Sequence, residues 1–395
     1  MEAWKSALPL LLVAALIAME ELSSTPWCEI SGESLDGGFG GDASHLDDLK
    51  VMMVADLLLM GSDATYVDLF FRDPFISKYF SKSFRTLKPD LLIVLGDISS
   101  KGSELTESKW LTVLQQFQKM LGSSAGIPLH IVLGDRDVGE CSKLNKKFIK
   151  KIARHLPGLD SAGCSTFDVG NVSFVSLNAV AMLCGNNNLR LSVEKVLERE
   201  NVYLQRQVTV KTEEEISYSE KRDTVGNFKW KDNEMASGSG PVVLLHFPLH
   251  RSIRSNSEGA KVSEQDPSLD SLGGPRSEYS GVIGMASYDI EQTLPANATE
   301  YIFQALKPRI VFSAHAHRFY DHSQIDGMRE VNVPAMTWAT RGKPGFVLVT
   351  FGRNGTLSVS HCSLAKEWHV IIGYVFLFFL SMTTLLVIRW SKLFR

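Results

Sequence analysis

The chain has 395 residues, of which 44% are hydrophobic, enough for one large domain or two ordinary ones with a filled core. Its formal net charge of −3 argues against nucleic acid as a partner on bulk electrostatics. The five cysteines, Cys28, Cys141, Cys164, Cys184 and Cys362, form no CxxC pair, which speaks against a zinc ribbon or thioredoxin-type site. An odd number leaves at least one thiol unpaired or intermolecular. Cys164–Cys184 and Cys28–Cys362 are candidate bridges, and the sequence leaves the connectivity open.

In chain order, residues 7–19 form a short apolar run after Lys5. Segment 1–24 therefore reads as a signal peptide or an uncleaved signal anchor. Residues 25–47 are polar and Gly-rich and read as a linker. From Leu49 the pattern alternates. Strands are expected at 49–55, 90–95 and 128–133, with amphipathic helical stretches at 67–86 and 104–121 between them. This β-α-β-α-β rhythm predicts an α/β domain with parallel strands. A hairpin follows at 165–168 and 172–177 around Gly170-Asn171, then a helix near 192–207. Residues 209–239 are charged and read as an insert. A strand at 241–245 leads to His246, and 252–282 form a long Ser/Gly-rich loop. A helix near 299–306 precedes strands at 309–314, 328–333, 345–350 and 356–361, which close a domain spanning 48–362.

Residues 370–388 carry no charge. At about 1.5 Å per residue they cover roughly 28 Å, the hydrocarbon thickness of a bilayer, so a transmembrane helix is expected there. Arg389, Lys392 and Arg395 follow it, which by the positive-inside rule puts 389–395 in the cytosol and the domain in the lumen. Asn171, Asn297 and Asn354 head N-x-S/T sequons, which agree with that side.

The chemistry-bearing residues sit where apolar runs end. Asp56 follows LKVMMVA, Asp97 follows PDLLIVLG, Asp135 and Asp137 follow PLHIVLG, His246 follows GPVVLL, and His315 and His317 follow PRIVFSA. A lone Asp after a strand is commonly a helix cap. A lone His is commonly a satisfied core residue, and an isolated HxH is weak. Several such ends together are what a metal site at one sheet edge requires. His315 and His317, two apart in an extended segment, point to one face. His250 and His322 read as loop residues with no assigned role.

Read in order, Asp56-Leu57-Leu58, Gly96-Asp97, Gly134-Asp135-Arg136-Asp137, His246 and Ala314-His315-Ala316-His317 resemble the calcineurin-like metallophosphoesterase superfamily, whose pattern is D-x-H, G-D, G-N-H-D, H and G-H-x-H. LLHFPLHR, PRIVFSAHAH, EVNVPAMTW and the C-terminal span resemble its lumenal ethanolamine-phosphate phosphodiesterases, which remodel GPI-anchor glycans in the endoplasmic reticulum or Golgi membrane. The resemblance implies a four-layer αββα sandwich of two mixed sheets plus the C-terminal transmembrane helix. It implies two divalent metal ions, manganese foremost, with iron or zinc as alternatives. Asp56, Asp97 and His317 would serve the first, Asp135, His246 and His315 the second, with Asp97 bridging. Arg136 and Asp137 would be the catalytic positions. The implied reaction is attack of a metal-activated hydroxide on a phosphodiester. The implied partners are the lipid bilayer and a phosphorylated glycolipid or GPI-anchored protein as substrate.

The pattern also departs from the family. Leu58 replaces a ligating histidine and cannot bind a metal. Asp135 replaces asparagine and adds negative charge. Arg136 replaces the histidine near the leaving group; always charged, it is a poor proton donor but a good phosphate clamp. Ala314 for glycine is a small change. Two expectations follow. One is a working phosphodiesterase with one strong and one weak metal site. The other is a degenerate relative that binds a phosphorylated glycolipid or cargo without hydrolysing it.

Overall fold

The computed structural model describes residues 2–31, 48–122, 126–184, 188–216, 238–250, 293–323, 328–340, 342–352 and 355–393. Two six-stranded mixed sheets lie between helices. The strands of the first are β1 (Trp27–Ser31), β2 (Leu49–Val54), β3 (Leu91–Leu95), β4 (Leu129–Val132), β11 (Gly345–Phe351) and β12 (Leu357–Ser363), ordered β1-β12-β11-β2-β3-β4. The strands of the second are β5 (Ser165–Val169), β6 (Val172–Ser176), β7 (Val242–Leu244), β8 (Ile310–Ser313), β9 (Tyr320–Ser323) and β10 (Arg329–Asn332), ordered β5-β6-β7-β8-β10-β9. β2, β3 and β4 run parallel, as do β6, β7, β8 and β10.

The layering follows from the period of two along each strand. Val51 and Met53 of β2 and Ile93 and Leu95 of β3 face Phe174, Leu244 and Phe312 of the other sheet in an inter-sheet core. Met52, Val54, Leu92 and Val94 point the other way. They meet α2 (Asp73–Leu87) and α3 (Glu107–Leu121), whose buried residues recur at helical spacing: Phe75, Ile76, Tyr79, Phe80 and Phe84 on α2, and Trp110, Val113, Leu114 and Phe117 on α3. α7 (Asn188–Ile216) and α8 (Ala296–Leu306) cover the second sheet through residues such as Val193, Leu197 and Ile302. At roughly 1.5–3 kcal/mol per large apolar side chain buried, these faces dominate the folding free energy.

Several sequence expectations need correction. Residues 27–31 form β1 rather than linker, paired antiparallel with β12 and tied to it by the Cys28–Cys362 disulfide. Cys184 pairs with Cys141, not Cys164, whose thiol is buried and free. The helix expected at 192–207 runs from Asn188 to Ile216, so the expected insert at 209–239 begins in helix; 217–237 and the loop 252–282 lie outside the described residues. His322 lies in β9, an edge strand absent from the sequence reading.

Two long apolar helices leave the domain at one end. α9 (Glu367–Leu393) contains one stretch, Glu367–Val387, long and apolar enough to cross a membrane, and Phe376, Phe379 and Leu385 on it are exposed. α1 (Glu2–Ser23) lies against it, with Met19 Sδ closing on Gly373; a Cβ on that glycine would come within 2.6 Å of the sulfur. α2 fastens both: Lys78 pairs with Glu20 at 2.7 Å, Lys82 pairs with Glu21, and Arg72 holds Glu367 at 2.7 and 3.2 Å.

Thiol mapping checks this connectivity. Alkylation under denaturing, non-reducing conditions is expected to label Cys164 alone, and proteolytic peptides are expected to carry the Cys28–Cys362 and Cys141–Cys184 links. Cys28→Ser is expected to lower stability by about 2–4 kcal/mol, measured by denaturant titration.

Candidate metal centre

Parallel strands bring their C-terminal ends to one edge, and the acids and imidazoles stand just beyond them. Asp56 and Asp97 lie two residues past β2 and β3, His246 two past β7, and His315 two past β8. Asp135 opens the short helix α4 (Asp135–Val138) after β4. The backbone there is forced into the left-handed region at five non-glycine residues: Asp56 (φ 51°), Leu58 (53°), Asp97 (54°), His315 (62°) and His317 (55°). Each such residue costs of order 1–3 kcal/mol and persists only where its surroundings hold it. Here main-chain bonds do so, among them Asp56 N–H to Gly96 O (3.1 Å), Leu58 N–H to Asp97 O (3.0 Å) and Ala314 N–H to His246 O (2.9 Å). Two glycines admit the crowding. A Cβ on Gly96 would come within 2.4 Å of His246 Nδ1, and one on Gly134 within 2.1 Å of Asp97 Oδ1.

Four side chains converge. One donor atom each from Asp97, Asp135, His246 and His315 lie within 4.8 Å of one another. His246 Nδ1 donates to Leu95 O at 2.7 Å, which fixes the ring and turns Nε2 toward Asp135 Oδ1 (3.0 Å), His315 Nδ1 (3.3 Å) and Asp97 Oδ1 (3.6 Å). A carbonyl holding the far nitrogen of a histidine is the usual support for a metal ligand. Asp135 Oδ1 is also 3.2 Å from His315 Nδ1. Ligands about 2.1 Å from a common cation stand roughly 3.0–3.4 Å apart, so these spacings fit one. Alongside, His317 Nδ1 meets Asp56 Oδ2 at 2.9 Å. Asp56 Oδ1 and Asp97 Oδ2 are buried with no hydrogen-bond partner among the described residues. Carboxylate oxygens so exposed to loss of hydration call for a cation. The residues at this edge thus fit divalent metal, firmly on the His246 side and with fewer side-chain donors on the His317 side, where Leu58 supplies none.

Arg136 and Asp137 take different parts. The Arg136 main-chain N–H donates to Asp97 Oδ1 at 3.0 Å, and its half-exposed guanidinium stands with Nε 3.5 Å from Asp97 Oδ2. Asp137, expected among the catalytic positions, is fully buried. Its oxygens accept from the main-chain N–H groups of Asp97 (2.9 Å), Ser99 (3.0 Å) and Gly134 (3.1 Å). It locks the β3 and β4 loops together and is a positioning residue, a correction that the adjacent Arg-Asp pair in sequence does not foretell. Thr340 and His361, which stand in the neighbouring cleft, carried no sequence signal at all.

The electrostatics are those of crowded carboxylates. Burial pushes the Asp97 carboxyl well above its ordinary range; Asp135, Asp137 and Asp56 add to this and His246 opposes it. Burial also raises Asp137, to about 6, against the three main-chain hydrogen bonds. For Asp135, burial is outweighed by the hydrogen bonds from His246 and His315, which hold it below the usual range. Burial would lower His246, but Asp97, Asp135 and Asp56 overcome it and raise the imidazole to about 10. In the metal-free protein His246 is therefore protonated at neutral pH, and a ligand must be deprotonated to bind. Metal binding is expected to release a proton and to tighten about tenfold per pH unit from pH 6 to 9. Titration calorimetry in buffers of different ionisation enthalpy measures this; a Kd independent of pH would contradict the assignment of His246 as ligand.

The sequence matches the Calcineurin-like phosphoesterase family over residues 49–319. It is 26% identical over 327 residues to Metallophosphoesterase 1 of Cricetulus griseus, covering 82% of this chain and 75% of that protein. It is 24% identical over 381 residues to Metallophosphoesterase 1 of Macaca fascicularis, covering 94% and 87%. A dimetal phosphatase from Danio rerio aligns with a TM-score of 0.47 and 11% identity, over 80% of this chain and 97% of its own. The family match spans most of the chain and encloses every acid and imidazole of the metal edge, and this chain belongs to the calcineurin-like phosphoesterase family of phosphoric ester hydrolases.

Proposed function

We propose that the chain is a membrane-anchored phosphodiesterase with a lumenal catalytic domain, acting on a phosphodiester such as ethanolamine phosphate on a GPI-anchor glycan. The observation that carries the hydrolytic part is the convergence of Asp97, Asp135, His246 and His315 within 4.8 Å at one sheet edge, beside two buried carboxylate oxygens that accept no hydrogen bond among the described residues. Asp97, Asp135, His246 and His315 would hold one divalent cation; Asp56 and His317, with Asp97, would hold the other, and manganese suits both. Bound there, the metal supplies Lewis acidity toward a phosphoryl oxygen and lowers the pKa of water.

The chain's own residues do the remainder. Arg136 presents a fixed positive charge at the rim and grips a phosphoryl oxygen through its planar fork. It cannot donate a proton, so the leaving alkoxide takes its proton from solvent. Asp137 keeps Asp97 and Gly134 in register. The glycolipid part of the proposal rests on the resemblance of the flanking motifs and on α9, a helix long and apolar enough to hold the domain at a bilayer surface. Lumenal placement is supported by two disulfides, which persist in oxidising compartments, and by exposed Asn171 and Asn297 in their sequons. A second function, binding a phosphorylated glycolipid without hydrolysis, is favoured by the joint replacement of two family histidines by Leu58 and Arg136.

Manganese-loaded full-length chain is expected to hydrolyse bis-p-nitrophenyl phosphate, and Asp97→Asn to reduce turnover by at least about 10²-fold. Leu58→His combined with Arg136→His is expected to raise turnover, within the roughly 10²–10⁴-fold that general acid catalysis contributes. No hydrolysis by parent or revertant would leave the binding function standing. Expressed in animal cells, the chain is expected to shift on glycosidase treatment and Asn171→Gln to remove part of the shift; an unglycosylated product would place the domain on the other side.

A further inference from the structure

A cleft of about 1140 Å³ opens beside the metal edge, starting at Arg136 and His317. It runs past Lys366, the residue before α9. Its charge is unbalanced. Arg318, Lys343 and Lys366 line it and have no carboxylate partner among the described residues. The carboxylates on the same wall are engaged: Asp68 with Arg72 and Thr65, Asp73 with Gln116.

Two hydrogen-bonding atoms in this cleft also lack partners. Thr340 Oγ1 and His361 Nε2 are closed to bulk solvent and bonded to nothing among the described residues, yet both side chains line the cleft. Unsatisfied buried polar atoms in a native fold ask for a ligand or an ordered water. The imidazole is held flat on Phe319, with ring centroids 4.4 Å apart and planes within 5°. Burial, joined by the charge of Lys343 and opposed by Glu29, keeps it below its ordinary pKa and so neutral. The loop carrying Thr340 and Lys343 lies directly on the metal edge. A Cβ on Gly342 would come within 2.6 Å of His317 O, and Arg318 is the next residue along.

We propose that Arg318, Lys343, Thr340 and His361 form a second oxyanion subsite, which takes a phosphate ester group of the substrate other than the one being cleaved. Two cations and two neutral hydrogen-bonding side chains around one concavity match a tetrahedral oxyanion, and neither cation is occupied by the fold. As a specificity site it rests on the hydrolase function proposed above, but phosphate binding at it needs no metal. A substrate held there presents two anionic groups, one at the metal edge and one in the cleft toward α9.

The test uses the full-length chain in detergent with EDTA, which removes any contribution from bound metal. Inorganic phosphate is titrated in one arm and a short-chain phosphatidic acid in another. Saturable binding of one equivalent is expected, weakened about tenfold or more in Arg318→Gln/Lys343→Gln and in Thr340→Val to a lesser degree, as expected for lost charge-assisted hydrogen bonds. Lys343→Arg is expected to retain binding, which guards against a double variant that fails to fold. Equal affinities in the two arms identify a free phosphate ester as sufficient; tighter phosphatidic acid binding identifies a lipid headgroup. No saturable binding, or undiminished binding by a folded double variant, overturns the proposal. A chain that binds phosphate in EDTA but hydrolyses nothing with manganese keeps the subsite and removes the hydrolase function.

Discussion

Everything at the working end of this protein depends on crowding carboxylates where water cannot reach them. Asp56, Asp97 and Asp137 are fully buried and Asp135 nearly so, all within a few residues of the same sheet edge. Two like charges 4 Å apart repel by about 4 kcal/mol at an effective dielectric of 20. The chain answers in three ways. Asp137 is neutralised by main-chain N–H groups, Asp135 by two imidazoles, and Asp97 in part by His246 and the Arg136 guanidinium. Among the described residues the Asp56 carboxylate has the His317 imidazole as its one hydrogen-bond partner, and its other oxygen has none. A divalent cation relieves what the fold leaves over. The left-handed backbone at five edge residues is the geometric counterpart of the same demand: strain maintained by the sheet so that donors meet.

The edge was legible in sequence because its grammar is local. A run of β-type apolar residues ending in Asp or His says both that a strand stops and what stands at its end, and parallel connections then bring those ends together. Asp56, Asp97, Asp135, His246 and His315 lie where that logic puts them; His317 reaches the same edge not as the second of an extended pair, as the spacing suggests, but because both histidines sit on left-handed backbone past the end of β8. What was not legible lacked such a local mark. Trp27–Ser31 is five residues beside a Gly-rich tract, and only pairing with distant β12 makes it a strand. Cys141, three residues past α4, and Cys184, at the end of α6 (Ala179–Leu183), are joined across 43 positions of sequence, which no spacing rule encodes. Asp137 reads as one more acid in a chemical block, and its conversion into a clamp appears only when three N–H groups are seen around it. Thr340 and His361 are ordinary polar residues in strand and loop until the cleft is closed around them.

The apolar helices α1 and α9 and the site are mechanically joined. α2 packs on the first sheet through Tyr79 and Phe80 and, from the same helix, ties α1 through Lys78 and Lys82. Arg72, at the end of the short helical stretch before α2, grips the first residue of α9 and also lines the cleft. The cleft floor therefore stands at a fixed height above the start of the apolar helix. The cleft runs from the metal edge past Lys366, so its far end opens beside the first turn of α9.

The two family replacements act on one carboxylate system. Leu58 keeps the left-handed backbone of a ligand position, at φ 53°, although its side chain coordinates nothing. A β-carbon in that region is strained, and at Leu58 no metal bond offsets it. The Asp56–His317 half is left with two side-chain donors of its own, while the Asp97–Asp135–His246–His315 half is complete. Arg136 sits on the oxygen of Asp97 that is not turned to His246, where a bridging carboxylate would face the weaker half. A guanidinium there offers one permanent positive charge that needs neither ligands nor a particular coordination geometry. The centre is thus asymmetric by construction: coordination chemistry on one side, and on the other a partly equipped site supplemented by a fixed organic cation.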